Sequence, residues 1–357
     1  MLRVGLVGCG KVGSIHAAAL KTVPETRFVA ACDANADRAA AFAAKYDVSP
    51  FTDLLAMLKQ VDAVIVGTPH PLHAEPAILA AQAGVHVLVE KPMAATLADC
   101  DAMLAAAKKS GVTLGVISQR RFFEPVRRMK AAIDAGKIGT PSLGVFIMYS
   151  WREPSYYHSD PWRGKWDTEG GGVLVNQSPH QLDILLWLLG PAAEVSGVWA
   201  NVNHPNVEVD DTAVATIRFR NGGLGSIVSS VSQRPGIYTK VHIHGSNGAS
   251  VGVETDRGAT FIAGVSAISE PPLTDLWTVP GEEHRLSEFQ AEDRAAFAAT
   301  DATVHYHAEQ IRDFAKSILE KQPPLVSGAD GRAVVELFSA IYRSHREKRS
   351  ITLPLES

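Results

Sequence analysis

The chain has 357 residues, 46% hydrophobic and 20% charged. That describes an ordinary globular protein with material for a sizeable core and, as a soft prior, two domains. A formal net charge of -4 gives no electrostatic ground for nucleic acid or an anionic membrane as partner. Cys9, Cys32 and Cys100 are scattered, with no C-x-x-C, which argues against a disulfide framework or a zinc site and fits a reducing compartment. The N-terminus is too short and too glycine-broken for a signal-peptide core, and no run of about 18 apolar residues occurs. The expected location is the cytoplasm.

In chain order, the apolar run Val4-Gly5-Leu6-Val7 is followed by Gly8-Cys9-Gly10-Lys11-Val12-Gly13 and then by an alanine-rich helix predicted over Ser14 to Val23. This is G-x-G-x-x-G between a strand and a helix. Gly8 makes the tight turn, Gly10 lets the backbone approach a pyrophosphate, and Gly13 allows close helix-strand packing. The amides of Lys11 and Val12 complete the candidate phosphate cradle. Phe28 to Asp33 reads as a second strand ending in an acid, placed where a carboxylate accepts hydrogen bonds from the adenosine ribose. Asp33 would also repel a 2'-phosphate, so NAD is expected in preference to NADP. Arg38 is close enough in sequence to blur that preference but reads more readily as helix surface, and NADP stays open.

The alternation continues. Ala63 to Val66 is a strand ending in Gly67-Thr68-Pro69, and a helix from His73 to Ala83 stops at Gly84. His86 to Val89 is the next strand and runs into Glu90-Lys91-Pro92. Thr96 to Ser110 is a helix closed by Gly111, and the last strand, Thr113 to Ile117, ends in Ser118-Gln119-Arg120-Arg121. Strands separated by helices imply a parallel doubly wound sheet, whose ligands bind outside the carboxyl ends of the strands. Taken alone, Glu90-Lys91 reads equally as a surface ion pair, and His73 equally as a surface residue of a first helical turn.

Taken together, the glycine fingerprint, Asp33, Thr-Pro-x-x-x-His (Thr68 to His73), Ala-Gly-x-His-Val (Ala83 to Val87) and Glu-Lys-Pro resemble the glucose-fructose oxidoreductase, inositol dehydrogenase and rhizopine-catabolism (Gfo/Idh/MocA) family. The resemblance implies that Lys91 reaches both substrate and nicotinamide ribose and that the Lys91-Pro92 bond is cis. It also implies that Thr68, Pro69, His73, Glu90 and Gln119 serve the cofactor.

The second half reads differently. One amphipathic helix, Glu124 to Ala135, precedes strand patterns at Leu143 to Tyr149, Glu194 to Asn201, Thr212 to Phe219, Leu224 to Ser232 and Lys240 to His244. Helices resume at Thr303 to Lys321 and Ala329 to Arg346. The expected fold class is α/β: an N-terminal doubly wound Rossmann domain (residues 1–121) and a C-terminal α+β domain (residues 122–357) with an open, mostly antiparallel sheet. The family resemblance implies that this second domain binds substrate and forms homodimers or homotetramers through its sheet.

In this half, Gly170-Gly171-Gly172 leads to Ser178-Pro179-His180-Gln181 and Asp183. Ser178 and Gln181 predict a capping box, with Pro179 at the first helical position. His180 in the first turn is expected to have a lowered pKa, as a general base needs, though taken alone it reads more readily as a satisfied helix-start histidine. The family pattern here is a glycine run followed by Asp-x-x-x-His-x-x-Asp, and this chain has Asn176 at the first acid. By that resemblance Lys91 and His180 are the acid/base pair and Asn176 positions a sugar-like hydroxyl. Asp183 is expected to be structural.

Upstream, Trp151 to Trp166 is dense in aromatics and cations, which suits sugars and equally suits a partly buried aromatic loop. Tyr156 and Arg121 are candidate substrate contacts, and Trp162-Arg163 resembles a pair that reaches the cofactor in some relatives. No metal site is expected from His242, His244, His284, His305 and His307, read as lacking acidic company. The expected activity is NAD(P)-dependent oxidation of a secondary hydroxyl on a cyclic polyol, sugar or glycoside. The alternatives are an NAD-cycling glycosidase of the same fold and a non-catalytic NAD-binding regulator.

Overall fold

A computed structural model describes residues 1–256, 260–261 and 270–356. The chain divides into two compact units, Met1–Gln119 with Thr303–Val335, and Arg120–Ala302 with Glu336–Glu356.

The first unit carries six strands: β1 (Leu2–Val7), β2 (Thr26–Cys32), β3 (Ser49–Phe51), β4 (Ala63–Val66), β5 (His86–Val89) and β6 (Leu114–Val116). They form one parallel sheet in the order β3-β2-β1-β4-β5-β6, a doubly wound arrangement with its switch point between β1 and β4. All four residues of β4 are buried, as expected of a strand covered on both faces. The helix Leu97–Ser110 shows how local chemistry sets an element's ends. The Thr96 hydroxyl accepts the Asp99 amide at 3.1 Å, and Gly111 closes the helix at φ +67.

Two features of this unit depart from the sequence reading. The first helix spans Lys11–Leu20 and so begins inside the glycine fingerprint, because Gly10 is extended and the chain turns directly into helix after it. The second concerns the helix Ala302–Glu320, which sequence order assigns to the later domain. Its Ile311, Phe314 and Ala315 are buried in the same core as Leu2, Val4, Leu6 and Leu88. The Gln310 side chain clamps the end of β6, accepting from the Ser118 amide at 2.9 Å and donating to the Val116 carbonyl at 2.7 Å.

The second unit is built on an eight-stranded sheet. Its strands are β7 (Pro141–Tyr149), β9 (Ala192–Ala200), β10 (Thr212–Phe219), β11 (Leu224–Ser230), β12 (Tyr238–Gly245), β13 (Ser250–Thr255), β15 (Leu273–Trp277) and β16 (Ile351–Thr352). The order is β15-β13-β12-β7-β11-β10-β9-β16, antiparallel except where β7 meets β11. A small ladder pairs β8 (Trp151–Arg152) with β14 (Thr260–Phe261). The helix Pro179–Leu189 packs on β7 and β12, and the helix Glu124–Asp134 on β13. The sequence patterns anticipate neither β13, broken by Gly252, nor the helix Leu286–Ala298, which buries only Phe289 and Asp293 and so shows no apolar stripe.

Phe314→Ala should cost about 3–5 kcal/mol, as for other buried phenylalanines. Leu319→Ala, at a position 48% exposed on the same helix, should stay within about 0.5 kcal/mol. Chemical denaturation followed by circular dichroism distinguishes the two. Equal stability of Phe314→Ala and the wild type would remove this helix from the first core.

Candidate functional site

In the first unit the predicted cofactor residues gather at the carboxyl ends of the strands. Gly8 has φ +99, and a Cβ there would lie 2.8 Å from the Gly67 carbonyl carbon and oxygen. A Cβ on Gly13 would collide with the Gly8 carbonyl oxygen, so both glycines are required by close approach. Gly10 borders open space and caps the first helix with no side-chain hydrogen bond, leaving the helix N-terminus to an anion. These features, with an acid at the end of β2, fit a dinucleotide.

Asp33 accepts from the amides of Cys9 (3.0 Å) and Asn35 (2.9 Å) and from Arg38 Nε and Nη2 (both 2.9 Å). Burial works to raise its pKa, but the Arg38 fork and the two amides outweigh it and hold the carboxylate below its ordinary range. Arg38 therefore pairs with Asp33 rather than standing apart on a helix surface.

The next strand ends are tied to each other. His73 is buried, and its ring nitrogens lie 2.9 Å from the carbonyl oxygens of Thr68 and Pro92, joining the end of β4 to the end of β5. It is an internal strut rather than a surface residue. The Thr68 hydroxyl donates to the Leu72 carbonyl at 3.0 Å, and Pro69 precedes the 3-10 turn His70–Leu72. Gln119 is buried just beyond β6. The Lys91-Pro92 bond is cis.

Glu90 and Lys91 do not form a surface pair. One Glu90 oxygen accepts from His16 Nε2 at 2.8 Å and the other from the Lys91 amide at 3.0 Å, while Lys91 itself is half-buried. Burial raises the Glu90 pKa, but His16, His307 and Lys91 together draw it down to about 2. His307 lies edge-on to His16, ring centroids 5.3 Å apart, and donates from Nδ1 to the Thr303 carbonyl at 2.7 Å. Burial, with His16 adding, lowers it to about 4. The reading of His307 as lacking acidic company is thus corrected, and so is that of His242, whose Nε2 lies 2.8 Å from Asp275.

In the second unit the glycine run is organised by Asp210, which sequence reasoning missed. Its buried carboxylate accepts from the amides of Gly172 (2.7 Å) and Leu174 (3.2 Å) and from the Tyr342 hydroxyl (2.7 Å). A Cβ on Gly172 would run into the Asp210 carbonyl. From there Val173–Gln177 forms a π-helical turn that leads directly into the helix Pro179–Leu189.

That continuity overturns the capping box. Ser178 is already helical, its hydroxyl lies against the Val173 carbonyl (2.9 Å) and Ser229 Oγ (2.7 Å), and the Gln181 amide nitrogen donates to Thr255 Oγ1 at 3.4 Å. His180, buried in this helix, does not sit at an isolated helix start, so the dipole argument for its pKa loses its premise.

Tyr156, Arg163, Asn176 and Gln177 form one network. Arg163 Nη1 donates to the Tyr156 hydroxyl at 2.6 Å, and Gln177 Nε2 donates to the same oxygen at 3.0 Å. The Arg163 guanidinium lies 4.3 Å from the Trp162 ring centroid and 4.4 Å from that of Tyr156. Asn176 Nδ2 donates to Glu169, a residue without a sequence signal. Arg121 departs from its expected role. It is 2% exposed, forks onto Asp183 at 2.7 and 2.5 Å and lies over the Trp187 ring at 4.9 Å. Its guanidinium thus holds Asp183 within the core of this unit.

The acid limb of stability follows from two depressed values. The contribution of neutral His307 is complete above its ordinary 6.5 and is lost as pH falls towards about 4. That of Glu90 is complete above 4.5 and is lost towards about 2. The thermal midpoint should therefore fall in two stages on acidification. His307→Gln should remove the upper stage and Glu90→Gln flatten the lower. Scanning calorimetry across this pH range checks it, and a wild-type midpoint unchanged between about pH 7 and 4 would contradict it.

Comparison with known proteins agrees with this geometry. Residues 2–118 match "Oxidoreductase family, NAD-binding Rossmann fold", and residues 126–251 match "GFO/IDH/MocA C-terminal domain". The chain is 30% identical to the myo-inositol 2-dehydrogenase of Thermotoga maritima over 99% of its own length and 98% of the relative's. Among solved structures it is similar to the WlbA dehydrogenase of Bordetella pertussis in complex with NADH and UDP-GlcNAcA. That match has a TM-score of 0.86 and 30% identity, covering 99% of this chain and 98% of the other. The corresponding enzyme of Chromobacterium violaceum gives a TM-score of 0.83 at 27% identity, covering 100% and 97%. With both halves matched by the family's two domains, the chain belongs to the Gfo/Idh/MocA family of NAD-binding oxidoreductases.

Proposed function

We propose that this oxidoreductase is a sugar or polyol dehydrogenase that oxidises a secondary ring hydroxyl, with Lys91 and His180 as its acid/base pair. The observation that carries the reading is Lys91 at the end of β5, its backbone anchored by the buried Glu90 carboxylate. NAD supplies the hydride acceptor when bound. The residues' part is to orient the carbinol and take its proton, for which a half-buried lysine or a histidine suits. Asn176 positions a substrate hydroxyl beside Tyr156, and Trp162 and Arg163 reach the cofactor. Named relatives act on inositols and on D-glucosides, and a structural neighbour holds a nucleotide-linked sugar acid, so the substrate class is a cyclic polyol, sugar or glycoside. The three buried free cysteines suit a reducing compartment, the cytoplasm.

A panel of inositols, aldoses, glycosides and UDP-linked sugars, offered with NAD or NADP and read at the NADH band, tests the reading. Lys91→Ala should lower kcat/KM on the active substrate about a thousandfold while NAD binding persists. Wild-type-like turnover of that variant would remove Lys91 from the reaction.

The open face of the second sheet supports a homo-oligomer. Val198, Val214, Val228 and Ile147 form one row across four strands, with Lys240 at its end, and Val198 and Val214 are 60% and 43% exposed. Apolar rows of this kind are covered in stable assemblies. Val214→Asp should shift the species seen by light scattering to the monomer. An unchanged mass would exclude this face.

A further inference from the structure

Glu169 is 1% exposed, at the end of the helical turn Trp166–Glu169 and immediately before the glycine run. A buried carboxylate is costly unless donors replace its water. The Gly164 amide donates to one oxygen at 2.6 Å, Asn176 Nδ2 donates to the other, and Arg163 Nη1 stands 4.0 Å from that second oxygen. Burial raises the Glu169 pKa and the buried Asp210 carboxylate adds to the rise. The Gly164 amide, Asn176 and Arg163 oppose it.

An asparagine amide can present either end to its surroundings, and its orientation is settled only by its partners. The Asn176 amide nitrogen donates to one Glu169 oxygen and the Gly164 amide donates to the other, so both oxygens act as acceptors. With its nitrogen so placed, the Asn176 amide turns its carbonyl oxygen away from Glu169. Donation to an anion also polarises the amide, which makes that oxygen a stronger acceptor. We propose that Glu169 is a positioning residue for the reaction, holding Asn176 so that its carbonyl oxygen accepts the substrate hydroxyl. The inference rests on the reading of Asn176 as a substrate contact. It places a carboxyl group one hydrogen bond behind position 176, where this chain itself has an amide. Arg163 ties the pair to Tyr156 and Gln177, so the acceptor belongs to a connected surface.

A two-residue cycle tests the proposal. Glu169→Gln leaves the size of the side chain but lets the Asn176 amide turn, and kcat on the active sugar or polyol should fall about tenfold, with KM within about threefold. Asn176→Asp sets a second carboxylate against Glu169 and should lower both the thermal midpoint and kcat. The double variant Glu169→Gln/Asn176→Asp restores one donor and one acceptor. It should recover the midpoint and return kcat to within about fivefold of wild type. Wild-type kcat in Glu169→Gln, or a double variant no better than Asn176→Asp alone, would overturn the positioning role. The thermal midpoints need no substrate, so they decide the pairing separately. If the wild type oxidises nothing in the panel, the dehydrogenase reading fails. Independent, additive midpoint losses would then still refute the Glu169–Asn176 contact, and recovery in the double variant would uphold it.

Discussion

The second unit depends on one buried carboxyl group. Asp210 takes two backbone amides of the glycine run and the Tyr342 hydroxyl, and its own backbone leaves no room for a Cβ on Gly172. That anchor commits Gly172 and Leu174 to the geometry that starts the π turn. The π turn sets the spacing of Asn176 and Gln177, and it delivers the chain already helical to Pro179. Gly172 is therefore an imprint of Asp210, read from the other side of the contact, while Gly171 makes room for the Tyr342 hydroxyl and Val175.

Buried carboxylates recur through the molecule, and their pKa shifts separate two kinds of anchor. Glu90 and Asp33 are both pushed up by burial yet end below their ordinary range, because cationic or potentially cationic groups face them: His16, His307 and Lys91 for Glu90, Arg38 for Asp33. Asp210 and Glu169 end above it. The donors to Asp210 include amides and a phenol, and those to Glu169 include two amides, with Arg163 Nη1 4.0 Å from one oxygen. Neutral donors satisfy the lone pairs of an anion without fully compensating its charge. The first kind stays ionised in moderate acid and suits a strand end that must hold its shape. The second lies closer to protonation and is the more sensitive to what is placed beside it.

What the sequence made legible follows from range. The parallel strands of the first unit are contiguous apolar runs with polar ends, so the positions of Gly8 to Gly13, Asp33 and Glu90-Lys91 at strand ends were legible, while Glu90-Lys91 alone still read equally as a surface pair. The helix Ala302–Glu320 was visible as a helix, but its apolar face does not say which core covers it, and it joins strands nearly 300 residues earlier. Arg121 and Asp183 are 62 residues apart, and Gly172 and Asp210 38 apart, with no periodicity linking them. Glu169 lies only seven residues from Asn176 and was still missed, because a four-residue helical turn followed by glycines carries no pattern that marks a buried acid. Ser178 misled for the converse reason. Its sequence neighbours make a good cap, but the chain reaching it is already helical, so no helix start was there to be capped.

Cofactor preference shows how far a single residue can be read. Asp33 alone argues for a free ribose, yet four donors already converge on it. The amides of Cys9 and Asn35 belong to the turns on either side and cannot leave without unmaking them. Arg38 can, since its side chain is 56% exposed and its tether is a flexible stem. Ribose hydroxyls that are to reach Asp33 must take the two positions Arg38 fills, exchanging a charged fork for neutral donors. The guanidinium so displaced remains beside the ribose, where it would favour a 2'-phosphate that Asp33 repels. The choice between NAD and NADP therefore turns on two opposed charges five residues apart, Asp33 held in place by the turn amides and Arg38 forked onto Asp33 by a flexible stem.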